Sequence, residues 1–276
     1  MTPVLPISFL TDYGTADGFV AACRGVMARI APEARVLDIT HEVPPGDIRR
    51  GALLLAQTLP YLPPGVHVAV VDPGVGTARR GVLVCTSEHL LVGPDNGLLP
   101  WAADALGGIR EAYELGNPAL MLPHVSATFH GRDVFAPIAA HLGTGTPPSE
   151  VGRRLDAGSL VRPADPVAYV DRGTGYAEVL TEDRFGNVQL SLTERHIREL
   201  GVERGGALDV EADGDVHWVP YRRTFGDVAA GALVALLDSA GYVALTVNGG
   251  DAARALRVRP GDPVKLRRPD GGTGAV

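Results

Sequence analysis

Two rhythms of apolar and polar positions run along the chain, and they change near its middle. Residues 7–10 (Ile-Ser-Phe-Leu) are a short apolar run closed by the polar turn Thr11-Asp12-Tyr13-Gly14, the pattern of a buried strand. From 15 to 31 the apolar residues Phe19, Val20, Cys23, Val26, Met27 and Ile30 recur at helical spacing, with Thr15 or Asp17 as the expected cap. A strand at 35–39, a helix from 47 to about 59 and an apolar strand at 66–71 follow. This order predicts a parallel sheet with covering helices. Beyond it, 82–86 and 90–92 read as β, joined by the polar turn Ser87-Glu88-His89, and 128–133 leads into a helix with Pro137 in its first turn and Gly143 at its end.

The second half reads differently. Residues 143–166 are rich in glycine and proline and predict a linker. Short strands are then expected at 167–171, 176–181, 187–192, 207–211, 215–219, 232–237, 242–247 and 263–267, with brief helices near 193–200 and 251–256. Such spacing predicts a small β-barrel or sandwich. The expected organisation is an α/β domain over 1–158 and a smaller β domain over 167–276.

Composition narrows the chemistry. Among 276 residues there are 35 glycines and 22 prolines, about a fifth of the chain, so many tight turns are expected, while 45% hydrophobic residues suffice for a core. Lys265 is the sole lysine, and no GxxxxGK[ST] phosphate loop exists. A net charge of −7 argues against nucleic acid or an anionic membrane as partner. Cys23 and Cys85 belong to no CxxC pair, and the eight histidines form no HExxH, so neither a disulfide framework nor a metal is implied. No basic leader and no apolar run of about 18 residues is seen, which predicts a cytoplasmic protein.

Several polar residues stand where a ligand would be met. Asp12 and Asp72 each follow an apolar strand, and the carboxyl ends of strands line the crevice of an open α/β sheet. A carboxylate there can accept hydrogen bonds from two ribose hydroxyls, although a turn or cap aspartate has the same sequence context. The segment Asp72-Pro73-Gly74-Val75-Gly76-Thr77-Ala78-Arg79 misses the dinucleotide fingerprint, since Arg79 occupies its last position and strands follow it. Arg79 is a permanent cation that can hold an anion but cannot act as a base. His130 lies in a glycine-flanked loop entering a helix. Acid, cation and imidazole together suit the deprotonation of a bound water; apart, they read as a surface ion pair and a structural histidine. In the second half Asp183, Phe185 and Asn187 offer an aromatic plate and an amide suited to a purine, or else a plain β-turn.

The stretches FLTDYG (9–14), VVDPGVGTARR (70–80), VGPDNGLL (92–99), TFHGRDVFAP (128–137), DRFGN (183–187) and DSAGYVALTVNGG (238–250) together resemble the adenosine-forming S-adenosyl-L-methionine (SAM) hydrolases, or SAM hydroxide adenosyltransferases, relatives of fluorinase and chlorinase. The last stretch departs from the family pattern at Asp238 and Ala240. The resemblance implies a Rossmann-like α/β N-terminal domain, a C-terminal β-barrel, and a homotrimer with SAM bound at subunit interfaces. It implies Asp72, Arg79 and His130 as the catalytic set. Asp12, Phe129, Asp183, Phe185, Asn187, Phe225 and Ser239 would surround the substrate, with no cofactor and no metal. A 5′-halogenase and a non-catalytic adenosine or SAM binder are the competing expectations.

Overall fold

The computed structural model describes residues 4–269, so the outermost ends of the two expected domains lie outside the described residues. The chain divides into two compact units between Pro163 and Ala164.

The first unit contains β1 (Ile7–Thr11), α1 (Phe19–Ile30), β2 (Val36–Thr40), α2 (Ile48–Thr58), β3 (Val66–Val70), β4 (Gly81–Cys85), β5 (Leu90–Pro94), α3 (Pro100–Ala105), β6 (Glu111–Glu114), a π-helical stretch Gly131–Phe135, α4 (Ala136–Gly143) and β7 (Arg154–Leu155). Its sheet runs β2-β1-β3-β5-β4-β6-β7. Only half of it is parallel: β1 pairs β2 and β3, and β3 pairs β5, in parallel, whereas the pairs β5–β4, β4–β6 and β6–β7 are antiparallel. The expected parallel sheet is thus a mixed one. The cause is local, because the turn 86–89 is too short for a crossover and forces β4 and β5 into a hairpin.

Both faces of this sheet are covered. Along β3, Val66, Val68 and Val70 pack with Met27, Phe135 and Ile138 on one face, while Ala69 and Val71 pack with Leu55, Leu98 and Leu99 on the other. Strands buried on both faces read as continuous apolar runs, as 66–71 does. Helix α1 begins at Phe19 with Gly18 as its cap residue and no side-chain cap, so neither Thr15 nor Asp17 serves as expected. The segment 143–166 is no free linker: β7 joins the sheet edge beside β6, and Val151, Leu155 and Leu160 are buried.

The second unit contains β8 (Ala168–Asp171), β9 (Thr174–Glu182), β10 (Val188–Thr193), α5 (Glu194–Glu199), β11 (Ala207–Ala212), β12 (Asp215–Pro220), β13 (Leu233–Leu237), β14 (Tyr242–Val247), α6 (Ala252–Leu256) and β15 (Pro263–Arg267). The strands follow the path β12-β11-β15-β9-β10-β14-β13, with β8 added on β9. A bridge between Tyr221 and Ala235 joins the two ends of the path, so the sheet is nearly barrel-shaped. Alternate residues such as Leu208, Val210 and Ala212 of β11 fill its interior with Val179, Leu190, Leu245 and Leu266.

No helix among the described residues is long and apolar enough to cross a membrane. Nor do three or more His, Cys, Asp or Glu side chains among them gather where a metal could be held. Cys23 and Cys85 are buried and unpaired, and burial pushes both thiols up to about 12.

Candidate active site

Strands β1 and β3 are parallel neighbours with Thr11 opposite Val70, so Asp12 and Asp72 leave the sheet at the same edge. The Asp12 carboxylate accepts the Gly46 N–H at 2.8 Å. Behind it, Thr11 Oγ1 lies 2.9 Å from His41 Nδ1 and accepts the Tyr13 N–H, while Gly14 N–H donates to the His41 carbonyl. These bonds hold the 11–14 turn in place.

Asp72 is not part of a surface pair. Its side chain is 5% exposed and that of Arg79 12%. Arg79 Nε donates to both carboxylate oxygens at 2.9 and 3.0 Å, and Nη2 donates to Oδ2. The same Nη2 lies 2.8 Å from His130 Nδ1. The guanidinium also rests 5.2 Å from the Phe135 ring, and such a contact orients it. Acid, cation and imidazole therefore form one hydrogen-bonded row, although Arg79 and His130 are 51 positions apart.

Two features bring the loop of residues 72–79 against the segment before His130. Gly76 has φ +79°, and a Cβ there would lie 2.4 Å from the Ala127 carbonyl oxygen, so glycine alone permits the contact. On the other side Asp133, fully buried, accepts from Arg132 and from both the N–H and the hydroxyl of Ser126. Burial works to raise this carboxyl, but the bonds from Arg132 and Ser126 outweigh it and keep it below the usual range. The Arg132–Asp133 pair is thus an internal brace for the His130 loop.

Burial, and next the charge of Arg79, hold the His130 imidazole below its ordinary pKa, against the opposite pull of Asp72 and Asp133. Phe129 packs edge-on to Tyr13 and Phe19 at 5.7 and 5.3 Å and carries the Arg132 guanidinium over its face at 4.8 Å. Tyr13 was not among the residues singled out from sequence. Its hydroxyl reaches Gly131, where a Cβ would lie 2.2 Å from it, and burial keeps it un-ionised by pushing its pKa up. The signal for it was Tyr13 beside Asp12, with glycine at 131; neither is distinctive alone.

In the second unit Asp183 organises the β9–β10 turn. Its Oδ1 accepts from the N–H groups of Phe185 and Asn187 at 2.8 and 3.0 Å, and its Oδ2 accepts the Asn187 side-chain amide at 2.8 Å. Phe185 is left 71% exposed. Gly186, at φ +76°, packs so closely on Asp251 that a Cβ would lie 2.5 Å from its carboxyl carbon. Ser239 sits exposed in the β13–β14 turn, where Asp238 accepts the Ala240 and Tyr242 N–H groups. Gln189 donates to Asp238 and so links that turn to β10. Phe225, 44% exposed, stands on its own turn, 225–227, closed reciprocally by Thr224 and Asp227.

A carboxylate, a fixed cation and an imidazole at the carboxyl edge of an α/β sheet, followed by a β unit bearing an exposed aromatic plate, are a set of groups suited to an enzyme that activates water. Family models narrow this: the SAM hydroxide adenosyltransferase N-terminal domain matches residues 7–152 and the C-terminal domain of the same name residues 177–265. The chain belongs to the SAM hydroxide adenosyltransferase family. It is 55% identical to an (R)-S-adenosyl-L-methionine hydrolase of Salinispora arenicola, covering 94% of this chain and 97% of that one. To a fluorinase of Nocardia brasiliensis it is 30% identical, covering 95% and 96%. A crystal structure of an uncharacterised conserved protein from Thermotoga maritima superposes with a TM-score of 0.90 at 37% identity, over 95% of this chain and all of that one.

Proposed function

We propose that this chain hydrolyses S-adenosyl-L-methionine to adenosine and L-methionine by attack of water at C5′. The observation that carries the reading is the Asp72–Arg79–His130 row. Loss of a neutral thioether from a sulfonium needs no general acid, so the demand falls on the nucleophile. Water placed against the Arg79 guanidinium is held by the cation as it becomes hydroxide, Asp72 fixes the guanidinium, and His130 takes the proton. The C5′–O bond forms as the C5′–S bond breaks, and its electron pair passes to sulfur. Asp12 binds the ribose hydroxyls, while Phe129, Asp183, Phe185, Asn187, Phe225 and Ser239 surround the remainder of SAM.

A carboxylate beside the nucleophile repels a halide, which favours water over the halogenase chemistry. The 55% identity to a hydrolase against 30% to a fluorinase points the same way. The relative's name further supports the (R) configuration at sulfur as the preferred substrate. In the finer architecture the first unit is Rossmann-like over β2-β1-β3-β5, the second a β-barrel, and the active assembly is a cytoplasmic homotrimer whose sites lie at subunit interfaces.

Incubation of the purified protein with each sulfonium epimer is the test. Equal yields of adenosine and L-methionine are expected, faster from the (R) epimer, with label from ¹⁸O-water in the adenosine 5′-hydroxyl. Intact SAM, or a 5′-halogenated nucleoside on addition of halide, overturns the reading.

A further inference from the structure

The turn Pro94-Asp95-Asn96-Gly97 has no part in the chemistry so far, yet its two polar side chains reach both ends of the loop that bears Asp72 and Arg79. At the start of the loop, the Asn96 side-chain amide donates to the carbonyl of Val71 at 2.8 Å. Val71 is fully buried and directly precedes Asp72, so this carbonyl requires a partner. The backbone of β5 does not provide it here: Pro94 has no N–H, and the Asp95 N–H points to the other neighbour, donating to the Arg80 carbonyl at 2.9 Å. The Asn96 side-chain amide ties the two strands together beyond their last paired position, Val68 with Val92. At the end of the loop, Arg80, directly after Arg79, donates through Nε at 2.9 Å and through Nη2 to the buried carboxylate of Asp95.

We propose that Asp95 and Asn96 are positioning residues for catalysis, a two-ended clamp that fixes Asp72 and Arg79 relative to one another and to His130. Between the clamped ends the loop is shaped by the Asp72–Arg79 pair, by Val75 N–H to the Asp72 carbonyl at 3.2 Å, by Thr77 to the Gly74 carbonyl through its N–H and hydroxyl, and by Arg79 N–H to the Thr77 hydroxyl at 3.3 Å. These bonds give the loop its shape, and its clamped ends fix where that shape stands on the sheet. The clamp extends outward as well, since Asp95 Oδ1 accepts the Val161 N–H at 2.9 Å and Arg80 Nη2 donates to the Ser159 carbonyl at 2.7 Å. The end of the first unit and the catalytic loop thus share one anchor.

This rests on the hydrolase reading, and the experiment separates the two. Asn96→Asp keeps the acceptor for the Leu98 N–H, hence the turn, but replaces the donor to Val71 with an oxygen. Turnover of SAM and the NMR titration of His130 are measured for wild type and variant, with folding checked by thermal melting. A misplacement of about 1 Å can cost roughly a hundredfold, so kcat is expected to fall at least about tenfold with KM within about twofold. The His130 midpoint is expected to rise as Arg79 loosens, and to rise likewise in Arg80→Lys, which conserves charge and so excludes the direct pull of the new carboxylate. A folded variant with unchanged kcat and midpoint overturns the proposal. Should Asn96→Asp fail to fold, Arg80→Lys at the other end faces the same two criteria, and wild-type values there overturn it equally. Wild type that leaves SAM intact sinks the hydrolase reading, while the titration still decides the clamp.

Discussion

Arg79 Nη2 donates to His130 Nδ1 across 2.8 Å. A guanidinium has no lone pair to offer, so Nδ1 must be the unprotonated nitrogen, and His130 rests as the neutral tautomer with its proton on Nε2. The base thus waits with its lone pair against the cation that is to hold the nucleophile. That bond must open before Nδ1 can accept the proton of a bound water, and its opening frees an N–H of the cation for the forming hydroxide.

The first prediction concerns pH. Burial and the Arg79 charge depress the His130 pKa, so the neutral, proton-accepting form persists to lower pH than in a free imidazole of about 6.5. In the kcat/KM profile the acid limb should lie below that value. Arg79→Gln removes the cation, and the His130 midpoint should move up, which NMR titration reads directly; no movement would contradict the coupling.

Turnover should respond to the same pair. His130→Ala is expected to lower kcat by roughly 10²- to 10⁴-fold, the span of a lost general base, with adenosine affinity nearly unchanged. Initial rates and calorimetric binding check this. An unaltered rate would remove His130 from the mechanism.

Gly76→Ala tests the contact between the two loops. The new Cβ would meet the Ala127 carbonyl oxygen at 2.4 Å from a backbone at φ +79°, so stability should fall by about 1–3 kcal/mol and the His130 segment should shift away from Arg79. Denaturant melts and turnover measure the two effects. A variant with wild-type values in both would show that the loops are free to separate.

Away from the site, Ser8 Oγ, His67 and His89 form a buried row, with His67 Nδ1 2.7 Å from Ser8 and Nε2 2.8 Å from His89. Burial, with a smaller part from His89, pushes His67 down to about 3. The unfolded chain takes up a proton near pH 6.5 that the folded chain refuses, so stability is full above that pH and is lost as pH falls toward 3. The slope from this one group is about 1.4 kcal/mol per pH unit. His67→Gln should flatten it in melts at pH 7, 6 and 5; an equally steep fall in the variant would assign the acid sensitivity elsewhere.

Much of this molecule was legible from periodicity. All eight strands expected in the second half are present within about two residues at each end, because half-buried strands alternate and their turns carry glycine and aspartate. The buried run at 66–71 likewise announced the central strand that delivers Asp72. Residue type also set the division of labour within the site: arginine can only donate, aspartate can only accept, and histidine alone can change its charge near neutrality. Those properties travel with the amino acid, and no fold is needed to read them. What only the tertiary structure decided is which of them meet. The mixed strand order, the incorporation of 143–163 into the first unit, the row that joins Arg79 to His130, the hydroxyl of Tyr13 over Gly131, and the reach of Asp95 and Asn96 to the two ends of one loop all arise between segments distant in sequence. Their hydrogen bonds depend on strand register and on a glycine whose missing side chain lets two backbones approach, and neither leaves a periodic trace in the chain.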